Sequence, residues 1–169
     1  MVDRKSYENY PIQIPLLVVF ISVLTYFVGA CIIAGFGILF AILYLVYCFS
    51  MELFVVLRSC KNCYYYGKLC GLGKGWVVPW FCKKGDPKNF ADRDISFIQL
   101  IPDFLVGIFP IVAGIILLVE NFSWLILGLM IVLVFLFFGG TAMVRGKLVC
   151  KFCKQREIGC PAEKLFNKK

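Results

Sequence analysis

PIQIPLLVVFISVLTYFVGACIIAGFGILFAILYLVYCFSMELFVVL, residues 11–57, contains one charged side chain, Glu52. About 20 apolar residues cross the hydrocarbon core of a bilayer, so the stretch is about two spans long. Gly29, Gly35 and Gly37 supply a place to turn. The reading is a hairpin with one helix from Pro11 to about Ala34 and a second from Ile38 to Leu57. A similar stretch follows, from Ile95 to Val119, then a break at Glu120, Asn121 and Ser123, then Trp124 to Met143. A helix satisfies its own backbone polar groups in lipid. The expected fold class is therefore an all-α integral membrane protein, with four transmembrane helices arranged as two hairpins. Composition agrees: 61% of the 169 residues are hydrophobic and the mean hydropathy is +0.86, whereas soluble domains are about half apolar. The first run is longer than a signal-peptide core and no small-residue cleavage site follows it, so it is expected to stay in place.

The charges fall unevenly. Arg4 and Lys5 precede the first run, eight basic residues lie between the second and third, and eight follow the fourth, which accounts for all 18. The two hairpin tips carry none. Four spans put the N-terminus, the central loop and the C-terminus on one side, and the positive-inside bias makes that side the cytoplasm. The net charge of +8 favours an anionic partner, first of all the anionic lipid headgroups of the bilayer, ahead of nucleic acid. Trp76, Trp80 and Phe81 read as a segment lying at headgroup level.

Seven of the nine cysteines fall on that basic side. Cys60, Cys63 and Cys70 have the spacing C-x2-C-x6-C, and Cys150, Cys153 and Cys160 repeat it, with lysine after the first cysteine in both. Pro11 lies 49 residues before Cys60 and Pro102 lies 48 before Cys150. The chain therefore reads as two copies of one unit, residues 1–94 and 95–169, each a helical hairpin followed by a cysteine knuckle. Two spans per copy keep both in one orientation, related by an axis along the membrane normal, which would bring the knuckles together.

A C-x2-C turn points two thiolates at one tetrahedral metal, and a reducing cytosol disfavours disulfides. The chain has no histidine, so a soft-metal site must be built from thiolates. The metal candidates are Cys60, Cys63, Cys70, Cys150, Cys153 and Cys160, with Cys82 as a seventh. Zinc is the favoured ion. One arrangement is a single site from Cys60, Cys63, Cys150 and Cys153. Another is an iron–sulfur cluster on Cys60, Cys63, Cys70 and Cys82. Seven thiolates are one short of two separate four-thiolate sites.

The two knuckles resemble, in local spacing, the fungal binuclear zinc cluster, whose motif is a pair of C-x2-C-x6-C units around two zinc ions. The resemblance implies that the first cysteine of each triplet, here Cys60 and Cys150, bridges both metals. It covers only the two 11-residue knuckles, and here 79 residues separate Cys70 from Cys150, so the DNA-binding role of that family is not implied. The stretch from Cys150-Lys-Phe-Cys153 to Gly159-Cys-Pro-Ala-Glu163 also resembles cysteine-rich four-helix membrane proteins of archaea, a resemblance that carries no activity with it.

Other features read structurally. Gly71-Leu-Gly-Lys-Gly75 lacks the G-x4-G-K-[ST] spacing of a P-loop and is expected to be a turn near lipid headgroups. Tyr64, Tyr65 and Tyr66 are expected to pack the knuckle against the bundle, and Gln155-Arg156-Glu157 to be a solvated face. Cys31 and Cys48 read as small buried apolar residues. Pro110 is expected to kink the third helix. Glu52 and Asp103 are carboxylates near the ends of spans, and Glu52 is placed to pair with a basic side chain. No catalytic residue is assignable: paired carboxylates and nucleophile–base sets are missing, and the lack of histidine removes the usual acyl-transfer triad. The expectation is a membrane scaffold, or a lipid- or protein-binding protein, held together by a thiolate metal site. The alternatives are membrane redox chemistry and a small transporter working as a homo-oligomer.

Overall fold

A computed structural model describes residues 6–91, 97–140 and 143–161. Arg4, Lys5 and Arg93, the 94/95 boundary and the basic tail from Ala162 to Lys169 lie outside the described residues. The described chain is helical, without a β-strand. Helix α1 (Gln13–Ile33) runs into a 3-10 turn at Ala34–Phe36, and α2 (Ile38–Arg58) returns. Gly37, between them, has φ +132°, a backbone conformation open to glycine and strained for other residues. After a long connection holding the five-residue α3 (Pro87–Ala91) come α4 (Phe97–Glu120) and α5 (Trp124–Val134). A short α6 (Gln155–Ile158) lies beyond the second knuckle.

Among the described residues, four helical stretches are long and apolar enough to cross a membrane: Gln13–Phe36, Ile38–Asn62, Leu100–Glu120 and Trp124–Phe152. The first three match the apolar runs to within a few residues. The fourth is longer than its apolar run. It continues beyond Met143 through wide, π-helical turns at Val144–Val149 and enters the second knuckle directly at Cys150–Phe152. Arg145 and Lys147, read from sequence as the exit from the helix, are part of it. Long basic side chains are tolerated near a span's end because their stems lie on apolar surface while the charge reaches polar surroundings.

Helix α1 is the centre of the bundle and packs against α2, α4 and α5. Two buried clusters hold it. Ala30 and Ile33 meet Tyr44, Cys48 and Val106, and Val28 and Ile32 meet Leu133. Tyr44 crosses α1 at Gly29, where a Cβ would come 2.5 Å from the phenol oxygen, and donates a hydrogen bond to Val106 O (2.9 Å) on α4. Small residues that let helices approach, and side-chain bonds across them, are what hold helices together where the surroundings are themselves apolar. Tyr47 makes a second such bond, to Pro102 O (2.7 Å). Cys48 is buried as expected, but Cys31 faces outward from α1.

Candidate functional site

The two knuckles begin alike. Cys60–Asn62 and Cys150–Phe152 each form a 3-10 turn, and Cys63 and Cys153 both follow in extended conformation. Backbone N–H groups near each of those second cysteines favour its thiolate, Tyr65 at Cys63 and Gln155 and Arg156 at Cys153, and the Arg156 N–H donates to Cys153 O (3.2 Å). Gly75 N–H reaches Cys70 Sγ at 3.1 Å. Backbone donors aimed at sulfur favour the thiolate. Burial works against them, pushing the Cys63 thiol up to about 12 and the Cys153 thiol up to about 11.

The knuckles meet, and tyrosine makes the joint. Tyr65 is 2% exposed. Its hydroxyl donates to Tyr7 O (2.6 Å) and accepts from Lys154 N–H (3.0 Å). Burial raises this phenol to about 12, so it stays a donor at neutral pH. Tyr64 N–H donates to Gln155 Oε1 (2.7 Å), and Gln155 Nε2 donates to Gly159 O (3.1 Å). Gln155 is thus buried between the knuckles, not part of a solvated face as its charged neighbours suggest. A primary amide satisfied at both ends is the form in which a polar side chain is tolerated inside.

The segment before α1 completes the joint. Tyr7 N–H donates to Phe152 O and Tyr10 N–H to Leu69 O, both at 3.0 Å, so one strap of chain is bonded to both knuckles. Tyr10 is buried, and its hydroxyl donates to Val149 O (2.7 Å). Its ring packs on Tyr7 and on Tyr65, with centroids 5.3 and 5.5 Å apart. At Gly71 a Cβ would come 2.6 Å from Val149 Cγ1, and at Gly75 it would collide with the Tyr65 and Lys68 carbonyl oxygens. The Gly-Leu-Gly-Lys-Gly stretch is therefore a tight turn packed into the joint.

The thiols form a chain of neighbours. Cys60 lies within electrostatic reach of Cys70 and Cys82, Cys63 within reach of Cys60, Cys70 and Cys153, and Cys153 within reach of Cys150 and Cys160. Cys63 is the member shared between the halves. Cys82 joins the first group, its carbonyl accepting the Tyr66 hydroxyl at 2.5 Å. All nine cysteines are free. Among the described residues, no three Cys, Asp or Glu side chains converge closely enough to hold a metal ion. The thiols are neighbours, and among the described residues they form no cage.

Tyr7 and Tyr10 carry no signal in the sequence, and Gln155, expected on a solvated face, is buried. Glu52 does carry one, and it pairs with Lys74 from the glycine turn. Tyr26 on α1 donates to the same carboxylate at 2.5 Å. No protein-family model matches the chain, and no curated protein or solved structure matches it either.

Proposed function

We propose that the protein is a four-span membrane protein whose N-terminus, knuckles and C-terminus face the cytoplasm, and that its joined knuckles bind zinc and so fix the two hairpins to one another. The observation that carries this reading is the joint itself: Tyr64 and Tyr65 of the first knuckle hydrogen-bond Gln155 and Lys154 of the second, and Cys63 and Cys153 lie within electrostatic reach of each other. The reading makes the protein a scaffold and assigns it no reaction.

The thiol neighbourhood supports a division of ligands different from the one implied by the fungal cluster. Cys60, Cys63, Cys70 and Cys82 form one set, and Cys63, Cys150, Cys153 and Cys160 another. With Cys63 in both, seven thiolates suffice for two four-coordinate zinc ions. Bound zinc would supply the positive charge that buried thiolates otherwise lack.

Metal analysis of anaerobically purified protein tests this. The expected result is about two zinc ions per chain. Cys63→Ser should lower both, while Cys82→Ser and Cys160→Ser should each lower one. Stoichiometric iron with visible absorption would replace zinc by an iron–sulfur cluster. Metal-free thiols that alkylate rapidly would favour thiol redox chemistry instead.

A further inference from the structure

Away from the joint, a cavity of about 570 Å³ opens between α1, α2 and the glycine turn, within the range of small-molecule sites, about 300–1,000 Å³. Its walls are almost wholly hydrocarbon. Val23, Phe27 and Phe49 line it and are 58%, 63% and 72% exposed, so the cavity is a groove open sideways, toward lipid if the helices span a bilayer. Its polar groups are Ser22 and Tyr26, midway along α1, and Glu52, Lys74 and Arg145, near the end of the bundle that carries the knuckles. Glu52 is paired with the Lys74 ammonium and accepts the Tyr26 hydroxyl. Arg145 enters from the fourth helical stretch and shares the field of that carboxylate, but makes no ion pair with a described residue. Among the residues that line the groove, Lys74 and Arg145 against Glu52 leave one surplus positive charge beside a hydrocarbon trough.

We propose that this groove is a specific site for an anionic membrane lipid, with a hydrocarbon chain along α1 and α2 and a monoanionic phosphodiester headgroup on the Arg145 guanidinium. The charges match: one cation in excess takes one anionic phosphodiester, whereas a zwitterionic headgroup brings its own cation to the same place. A guanidinium presents paired N–H donors with the spacing of phosphate oxygens. Generic attraction of a basic surface to lipid needs no groove. Here the surplus charge stands at the mouth of one.

The full chain, purified in non-ionic detergent and offered equal amounts of phosphatidylglycerol and phosphatidylcholine, is examined by native mass spectrometry. Wild type should retain phosphatidylglycerol about tenfold better, the scale of one charge-assisted contact, and Arg145→Gln should abolish the preference. Val23→Trp, which fills the trough and leaves every charge in place, should abolish retention of phosphatidylglycerol as well. Equal retention of the two lipids by wild type would overturn the proposal, as would an undiminished preference in either variant. Displacement of phosphatidylglycerol by an equal concentration of inorganic phosphate would overturn the lipid assignment in favour of a soluble-anion site.

Discussion

Tyr65→Ala should lower the unfolding free energy by about 3–5 kcal/mol, the usual cost of truncating a large buried aromatic. The ring is 2% exposed and packs on Tyr10 and Tyr64. Its hydroxyl bonds Tyr7 O on one side and Lys154 N–H on the other, so alanine would leave a cavity and two backbone groups unsatisfied. Tyr65→Phe removes only the hydroxyl and should cost about 1–3 kcal/mol. Thermal unfolding in detergent, followed for both variants beside Tyr66→Ala, checks this. Tyr66 is only half-buried, with a single bond to Cys82 O, and its loss should be the milder of the two alanine changes. Equal effects at 65 and 66 would mean that the knuckles are not joined through Tyr65.

The second large effect is expected at Glu52. Its ion pair with Lys74 leaves 29% of the glutamate and 19% of the lysine side chain exposed. Glu52→Leu strands the ammonium in an apolar groove and removes the acceptor of the Tyr26 hydroxyl. The cost should be on the order of 2 kcal/mol, below the 3–5 kcal/mol of a fully buried pair because of that exposure. Replacing both partners, Glu52→Leu with Lys74→Met, should recover most of it, because neither charge is then left without its partner. A double-mutant cycle on thermal unfolding measures the coupling. Additive costs would show that the two groups do not depend on each other.

The helices were legible in the sequence because bilayer-length apolar runs depend only on neighbouring residues. Ile38 was located as the start of α2, and the end of that helix to within one residue. The fourth helix was cut short because Arg145 and Lys147 look like an exit, while the backbone simply continues into the knuckle. The meeting of the knuckles was expected from their repeated spacing, but not the means. Tyr10 reaches Val149, 139 positions along the chain, and no local pattern announces such a partner. Gln155 misled for the same reason: between Lys154 and Arg156 it reads as solvated, and only the Tyr64 amide opposite explains its burial. The pairing of Glu52 was anticipated in kind, since a carboxylate at the end of a span needs a cation, but Lys74 as its partner depends on how the glycine turn folds back.

The two knuckles form one joint, with Cys63 within electrostatic reach of Cys153. A chain keeping only those two cysteines, the other seven replaced by serine, can be treated in membranes with a short bifunctional thiol reagent and its peptides weighed. The predicted product links the peptides bearing Cys63 and Cys153 within one chain, and a matched chain keeping Cys31 and Cys153 gives none, since residue 31 lies at the far end of α1. Failure to link Cys63 to Cys153, while both still react with a monofunctional maleimide, would contradict the joint and the shared zinc site with it.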